Sequence, residues 1–437
     1  MSVRATGTTA SRARIVVHDY TGHPFQVQLS RELARRGHHV LHAFSAEFQT
    51  PKGDLTRRPG DPDSFDFAPI SLGRPFAKHT YLERRFQELE YARHAAGLFE
   101  RFAPDVVISS NTPTEAQRVL QRRLQRLGAA FVFWMQDVYS LAVERLLARR
   151  SRLLGRAVGW RYRQIEKATL RASEATVVIS PDFEAILGEW GIDQARVTTI
   201  PNWAPLGEIT ARPKDNVWSR QHGLAGTPCY VYSGTLGLKH QPHLLSELAR
   251  AAQPLPVVVV SEGVGANWLA AERARGGLEN LRLLPFQPYE AMSDVFATAD
   301  VLLAVLERDA GVFSVPSKIL SYLCAERAIL AAVPGENLSA RIVRGSGAGV
   351  VVDPDDSQGF LGSAMQLMQD DTRRREHARC AGEYARDHFD IRTIADRFER
   401  VTAAALGARG TLKTGGRAYD VRDTGAEIPT DALGEHP

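Results

Sequence analysis

Short runs of apolar residues alternate along this chain with longer stretches in which apolar residues recur every three or four positions. Most of the short runs contain no polar break, which is typical of strands buried on both faces of a parallel sheet. The pattern predicts helices such as 25–37 and 243–252. Between the helices it predicts strands at 14–18, 39–44, 105–109, 130–135, 175–179, 197–200, 229–233, 256–260, 281–284, 300–306, 328–333 and 349–352.

This alternation predicts a doubly wound α/β architecture, and it occurs twice. A segment rich in proline and glycine, 202–228, separates the two halves. We therefore expect two Rossmann-like domains that face each other across a cleft, with ligands at the C-terminal ends of the strands. The expected segments are a disordered tail at 1–13, an N-terminal domain at 14–205, a linker at 206–228, a C-terminal domain at 229–390, a helix returning toward the N-terminal domain at 391–408 and a disordered tail at 409–437.

The composition is that of a globular protein, with 44% hydrophobic and 24% charged residues among 437. The cysteines Cys229, Cys324 and Cys380 lack the spacing of a zinc site or a disulfide framework, which favours a reducing compartment. The first dozen residues have no apolar centre like that of a signal peptide, and no apolar run reaches the roughly 18 residues of a membrane-spanning helix. These features predict a cytoplasmic location.

Charge is divided unevenly, with 29 Lys and Arg against 21 Asp and Glu in residues 1–205 and 25 against 29 in the remainder. No nucleic-acid-binding signature accompanies the basic half, so we expect it to face an anionic membrane or a phosphorylated substrate. Nine of its basic residues and one acid, Glu166, lie in 145–171. This stretch suits a helix lying on an anionic bilayer, although a helix with a buried apolar face and solvated arginines fits it too. Its interleaved apolar residues are Leu146, Leu147, Leu153, Leu154, Val158 and Trp160.

Three loops of the second half follow predicted strands and contain glycine or lysine, in "YVYSGTLGLKHQ", "VVVVSEGVGANWL" and "GVFSVPSKILSYL". Glycine lets the backbone approach a ligand closely, and lysine at a helix start adds charge for an anion. Each loop alone could be an ordinary turn or a solvated lysine, but three at one sheet edge predict a diphosphate pocket. The candidate residues are Gly234, Gly237, Lys239, Glu262, Gly263, Pro316, Ser317 and Lys318.

Polar residues end two strands of the first half. "VVHDYTGHP" places His18, Asp19 and His23 between a strand and a helix, and "FWMQD" ends a strand at Asp137. These side chains are predicted to line the opposite wall of the cleft, although capping of the following helix is an equally good interpretation of the first three.

With these segments together, the chain resembles the family-4 retaining glycosyltransferases of GT-B fold. It is most similar to the subgroup that builds cell-surface polysaccharides such as colanic acid and O-antigen, which includes fucosaminyltransferase-like enzymes. The matching segments span roughly residues 14–405. They are "WMQDVYS", "VVISPDFEAILGEWGI", "VTTIPNW", "VYSGTLGLKHQ", "PFQPYEAMSDVFATADVLLAVL" and "GVFSVPSKILSYL".

The resemblance implies that the C-terminal domain binds the diphosphate of a nucleotide sugar and that the N-terminal domain holds the acceptor. Lys239 matches the phosphate-loop lysine of the family, and Ser317 and Lys318 match its "PSK" helix start. Phe286 and Gln287 match the loop that borders the base, and Gly22 matches the glycine loop near the phosphates.

The chain departs from the family at three places. Many members of the family have a Glu-x7-Glu motif whose second glutamate contacts the ribose. The equivalent positions of this chain are Phe313 and Ser321, so Ser321 stands in place of that glutamate. Glu326 replaces the glycine that usually follows this helix. Thr235 replaces an arginine after the first phosphate-loop glycine.

The implied reaction transfers a hexosyl or N-acetylhexosaminyl group from a nucleotide diphosphate sugar, with UDP expected, to a hydroxyl, with retention and without metal or cofactor. Asp137, His18, Asp19 and Lys239 are the candidate catalytic residues. The expected acceptor is a polyprenyl-diphosphate-linked saccharide, which would place the enzyme peripherally on the inner face of the membrane. A nucleotide-sugar epimerase of the same fold and a non-catalytic two-domain sugar-binding protein are the alternatives.

Overall fold

A computed structural model of the chain describes residues 12–47, 52–77, 80–148, 151–237, 240–308, 311 and 317–410. Both predicted tails lie largely outside these residues, as do Lys239, Pro316 and Phe313. The strands are β1 Arg14–Asp19, β2 His39–Ser45, β3 Phe65–Ile70, β4 Val106–Ser110, β5 Ala130–Met135, β6 Ala175–Val178, β7 Val197–Thr199, β8 Tyr230–Ser233, β9 Val257–Val260, β10 Leu281–Leu284, β11 Val301–Val305, β12 Ala328–Ala332 and β13 Gly349–Val352.

Helices connect most of these strands. They are α1 Pro24–Arg35, α2 Tyr81–Phe102, α3 Thr114–Arg126, α4 Tyr139–Ala148, α5 Arg152–Ala172, α6 Pro181–Glu189, α7 Val217–Gln221, α8 Pro242–Ala251, α9 Val264–Gly276, α10 Met292–Thr298, α11 Lys318–Cys324, α12 Leu338–Ser346, α13 Ser357–Gln369, α14 Asp371–His388 and α15 Ile391–Arg409.

The strands form two sheets in which every pair is parallel. The first has the order β3-β2-β1-β4-β5-β6-β7, and the second has the order β10-β9-β8-β11-β12-β13. In each sheet the chain reverses its direction of growth once, between β1 and β4 and between β8 and β11. Ligands of doubly wound sheets bind at such points, beyond the C-terminal ends of the strands. The predicted architecture is confirmed.

All twelve predicted strands are present, with ends that differ by at most one residue. The sequence did not reveal β3, "FDFAPI", because Asp66 and Pro69 interrupt its apolar pattern. This strand lies at the edge of the first sheet. Proline has no N–H to donate, and an edge strand tolerates this because one of its sides has no neighbouring strand to accept the hydrogen bond.

Helix α15 packs against the N-terminal sheet through an aromatic cluster. Phe398 contacts Trp134 at 4.7 Å between ring centroids, and Trp134 stacks on Trp203 at 5.8 Å. The indole of Trp203, which ends the "IPNW" segment, also donates to Gln28 Oε1 at 2.8 Å. This buried cluster fixes the start of the linker and the end of the described chain to α1 and β5.

Glu326 replaces the glycine that usually follows α11 in the family, and the end of this helix does not require a glycine. Glu326 adopts the left-handed conformation itself, with φ at +53°, and ends α11 there. Its side chain lies over Gly382, which has no Cβ to collide with it, and pairs with Arg386 on α14. The interaction with α14 therefore compensates the strain of a non-glycine residue at this position.

Candidate active site

A cavity of about 400 Å³ lies at the C-terminal ends of β1, β4 and β5 in the N-terminal sheet. It sits at the point where the strand order reverses, and helices α2 to α5 complete its wall. The lining residues are Tyr20, Thr21, Arg84, Glu88, Asn111, Thr112, Pro113, Thr114, Gln117, Phe133, Gln136, Asp137, Tyr139, Glu166 and Thr169.

The loop after β4 shapes one side of this cavity. Asn111 adopts a left-handed conformation with φ at +52°, which asparagine tolerates better than most residues. Its amide donates to Asp19 Oδ1 at 3.1 Å and so ties the ends of β1 and β4 together. A residue held in this conformation at a ligand-sized cavity is typical of functional sites.

His18 does not line the cleft, and that prediction is wrong. The side chain is fully buried within the sheet, where Nδ1 bonds Ser109 Oγ at 2.8 Å and Nε2 bonds Tyr91 Oη at 2.9 Å. Burial lowers the pKa of His18 to about 3, against the opposing effect of Asp19. The histidine is thus a neutral part of the core below the site.

Asp19 is likewise buried, and its carboxylate organises the loop that follows β1. Oδ1 accepts from Thr21 N at 3.1 Å and from Thr21 Oγ1 at 2.8 Å, and Oδ2 accepts from His23 N. Burial alone would raise the pKa of Asp19, but the attraction of His23 and these hydrogen bonds hold it well below its usual range. The carboxylate therefore holds the loop that leads into α1, and the prediction that it faces the cleft is wrong.

His23 remains a candidate, because about a third of its side chain is exposed. Its Nδ1 lies 3.6 Å from Asp19 Oδ1. Burial alone lowers the pKa of His23, but the carboxylates of Asp19 and Asp137 outweigh it and raise the pKa above its ordinary value. A partly exposed imidazole that favours its charged form can stabilise negative charge nearby.

Asp137 lines the cavity at the end of β5, where the sequence placed it. Its neighbour Gln136 exchanges two amide hydrogen bonds with Asn202, at 2.6 and 3.2 Å, and this pair fixes the strand end. The exposed carboxylate is the predicted residue that remains best placed to contact a substrate on this side.

Lys318 and Gly234 meet in the C-terminal domain. Gly234 follows β8 with φ at +127°, and a Cβ added there would lie 3.2 Å from Lys318 Cε and 3.3 Å from Nζ. The ammonium of Lys318 lies 3.8 Å from the centroid of the Tyr232 ring and bonds its hydroxyl. Tyr232 Oη in turn donates to Thr235 O at 2.9 Å, so one tyrosine joins the lysine to the glycine loop.

Tyr322 fixes the helix that carries this lysine. Its hydroxyl accepts from Ser233 N at 3.0 Å and lies 3.1 Å from Leu303 O, which anchors α11 to β8 and β11. Tyr322 follows Lys318 by four residues, so both side chains lie on one face of α11. Ser317 is exposed at the start of the helix, and Ser321 is partly buried within it.

The loop after β9 lies against the glycine loop. Gly265 N donates to Leu236 O at 2.9 Å, and a Cβ added at Gly265 would lie 2.9 Å from that oxygen. Gly263 has φ at +110° and a similar approach to Leu236. Gly237 N bonds the ring of His240 at 3.0 Å. Two glycine-containing loops therefore pack closely at the edge of the sheet beside Lys318.

The loop after β10 carries Phe286 and Gln287. Phe286 N donates to Glu262 Oε1 at 3.3 Å, which joins this loop to the one after β9. Gln287 Oε1 accepts from Trp218 Nε1 at 2.9 Å, so α7 of the linker orients the amide. Gly22 lies in the loop after β1 of the N-terminal domain with φ at +80°, where an added Cβ would meet Leu55 and Lys52.

The chain is similar in sequence to known glycosyltransferases. Residues 23–203 match the model of the Glycosyl transferase 4-like domain. The chain is 25% identical over 309 residues to the putative colanic acid biosynthesis glycosyl transferase WcaI of Escherichia coli (strain K12), an alignment that covers 68% of this chain and 74% of WcaI. The protein is a glycosyltransferase of GT-B type. It is also 24% identical over 260 residues to the probable glycosyltransferase WbjE of Pseudomonas aeruginosa, covering 58% and 63% of the two chains.

Solved structures agree with the fold of this glycosyltransferase. Anabaena HepE, determined in complex with UDP-glucose, superposes with a TM-score of 0.67 at 15% identity and covers 90% of this chain and 100% of its own.

Sequence reasoning missed Glu166 in the glycosyltransferase. This residue of α5 lines the cavity while only 2% exposed, and its carboxylate accepts from Ser140 N at 3.1 Å. Burial raises the pKa of Glu166 to about 7, against hydrogen bonds from Ser140 and the charge of Arg163. The feature of the sequence that could have revealed Glu166 is its position as the single acid among nine basic residues in 145–171.

Proposed function

We propose that the glycosyltransferase moves a hexosyl or N-acetylhexosaminyl group from a UDP-sugar to a hydroxyl of a lipid-linked saccharide, with retention. The observation that carries this proposal is the approach of Lys318 to Gly234 at the switch point of the C-terminal sheet. It places an ammonium beside an open glycine loop, an arrangement that suits a diphosphate. Two similar proteins support the proposal, since HepE was determined in complex with UDP-glucose and WcaI is named as a putative colanic acid biosynthesis glycosyl transferase.

The chemistry asked of this site is stabilisation of the departing UDP. The bond from the anomeric carbon to the diphosphate oxygen breaks, and the acceptor oxygen forms its bond to that carbon on the same face. The acceptor proton passes to the departing diphosphate. Lys318, with Lys239, offsets the charge that develops on that oxygen, and backbone N–H groups of the glycine loop add to this effect.

On the facing side, the N-terminal cavity would hold the acceptor. Asp137 and His23 would position the accepting hydroxyl, since the two carry opposite charge and lie close enough for Asp137 to raise the pKa of His23. Incubation of the protein with UDP-sugars and a synthetic polyprenyl-diphosphate saccharide tests the reaction. Transfer requires UDP release together with an enlarged acceptor. Conversion of the donor to its epimer, or donor binding without turnover, would contradict it.

We expect EDTA to leave turnover largely intact, because lysines carry the positive charge at the proposed diphosphate site. Turnover is measured as UDP release before and after dialysis against EDTA. Loss of activity that manganese or magnesium restores would contradict a metal-independent mechanism, whereas unchanged turnover in both samples would support it.

An exposed face of the N-terminal domain supports membrane attachment. The stretch expected as one interfacial helix is two helices, α4 and α5, which pack closely because Gly155 and Gly159 lie against Glu144. Their outer side and the start of α2 are joined through Glu115, which pairs with Arg85 and Arg161. We call this surface the apolar–basic face. Its residues are Leu82, Phe86, Leu146, Leu153, Leu154 and Trp160 with Arg145, Arg152, Arg156 and Arg161.

Exposure on this face is unusual for large apolar side chains. Leu153 is 81% exposed and Trp160 is 62% exposed. Leucine, tryptophan and arginine together suit the headgroup region of an anionic bilayer. Among the described residues, no helix is long and apolar enough to cross the bilayer. The same helices line the cavity through Arg84, Tyr139 and Glu166, so an acceptor held at the membrane surface would reach it.

The protein is therefore expected to sediment with liposomes that contain phosphatidylglycerol, and less so as salt rises. Arg152→Glu with Arg156→Glu should weaken this binding by tenfold or more, since each basic residue near such a surface contributes about 1 kcal/mol. Arg373→Glu with Arg375→Glu, on the exposed side of α14, is the matched control. Equal loss in both double variants, or no sedimentation of the wild-type protein at low salt, would contradict attachment through this face.

A further inference from the structure

The N-terminal cavity has an excess of acidic side chains. Glu88, Asp137 and Glu166 line it, against one basic lining residue, Arg84, while His23 lies near Asp137 behind the wall. Arg84 Nε lies 2.9 Å from Glu88 Oε1, so its charge is already offset within the cavity wall. The basic residues of this region lie instead on the apolar–basic face outside. The domain thus separates a negative interior from a positive exterior.

The remaining lining groups are neutral. Threonine hydroxyls, the amides of Asn111 and Gln136 and the rings of Tyr20, Phe133 and Tyr139 complete the wall. Such groups suit the hydroxyls and the apolar ring face of a sugar, and the volume of about 400 Å³ is within the range of small-molecule sites. Nothing in this set favours an anion, since its carboxylates would repel one.

Glu166 contributes to this repulsion in its ionised form, which prevails above its raised pKa of about 7. Its carboxyl is almost completely buried and is held by Ser140 N, so it cannot turn into solvent when a ligand enters. Interactions between like charges are stronger in such a desolvated position than at the surface. Asp137, at the end of β5, adds a second carboxylate on the same cavity.

We infer that the cavity admits only an uncharged sugar unit of the acceptor and that Asp137 and Glu166 exclude phosphorylated or carboxylated sugars. This inference rests on the proposed function. The diphosphate of a lipid-linked acceptor then lies outside, among the arginines of the apolar–basic face. The acceptor must therefore already carry at least one neutral sugar, so a glycosyl-phosphate transfer to the lipid precedes this reaction.

Paired probes test the selection. Saturation-transfer NMR of the full chain with UDP compares methyl α-glucoside with its 6-phosphate and methyl α-galactoside with methyl α-galacturonide, at pH 8, where Glu166 is largely ionised. The neutral member of at least one pair should bind, and its charged partner should bind at least tenfold more weakly. Equal or tighter binding of the charged members would overturn the inference, as would binding of none of the probes.

Variants assign the selection to its residues. Glu166→Gln keeps an oxygen that can accept from Ser140 N, and it should reduce the discrimination between paired probes, as should Asp137→Asn. Glu100→Gln, an exposed carboxylate of α2 paired with Arg123, should leave the discrimination unchanged. Unchanged discrimination in both cavity variants would overturn the assignment. Titration of the same samples with UDP-glucose tests the transferase proposal separately, because donor binding does not depend on the cavity.

Discussion

Replacement of Lys318 by alanine weakens UDP binding by about ten- to a hundredfold. The ammonium stands beside Gly234 and over the ring of Tyr232, at the glycine loop where we place the diphosphate. A hydrogen bond to a charged group contributes about 1.5–3 kcal/mol. Calorimetric titration with UDP measures the loss. The same result is expected for Lys239→Ala, and Lys167→Ala on α5 is the control. Wild-type affinity in Lys318→Ala would refute the site.

The contact between the lysine and the glycine can be tested through Gly234→Ala. A Cβ at this position meets Lys318 Cε at 3.2 Å, and φ at +127° strains any residue other than glycine. UDP affinity should therefore fall, and the effects of Gly234→Ala and Lys318→Ala should not add in the double variant. Gly226→Ala is the matched control, since Gly226 has no atom within 4 Å of an added Cβ. Simple additivity would mean that the two residues act separately.

The sequence could predict this half of the site because its signals are local. A strand followed by glycine, or a proline and lysine at a helix start, reports the conformation of a few neighbouring residues. Tyr232 escaped notice because its role depends on Lys318, which comes from a different strand–helix unit. A tyrosine inside the buried strand β8 is otherwise indistinguishable from a core residue.

The N-terminal side was harder for a related reason. His18 and Asp19 end a strand at the correct edge of the sheet, and this position is all that a sequence pattern reports. Their partners, Tyr91 on α2 and Asn111 after β4, withdraw both side chains from the cleft. Glu166 illustrates the opposite error, since an acid in a basic helix is usually solvated, whereas the packing of α5 against its neighbouring helices leaves Glu166 only 2% exposed.

The buried histidines should make the N-terminal domain sensitive to acid. Burial lowers the pKa of His18 to about 3 and that of His42 to about 4, from 6.5 in the unfolded chain. Between these values the unfolded state binds more protons than the folded state, so the free energy of unfolding falls as pH falls below 6.5. Asp19, whose pKa is depressed, adds its own loss only below its ordinary value of 3.8.

The expected loss is about 3 kcal/mol between pH 6.5 and 5, since each histidine approaches its full slope of about 1.4 kcal/mol per pH unit only below its unfolded-state pKa. This is a large part of the stability of an ordinary domain. Hydrogen exchange of peptides that cover β1 and β4, measured from pH 7.5 to 5 with correction for intrinsic rates, follows this domain alone.

His18→Gln should lower stability at pH 7.5, because packing around the ring is lost, but should halve the slope of the free energy of unfolding against pH below pH 6.5. His388→Gln, on the exposed side of α14, should keep the wild-type slope. A slope that His18→Gln leaves unchanged would mean that the ring is already protonated in the folded protein, and the assignment of His18 to a neutral core would fail with it.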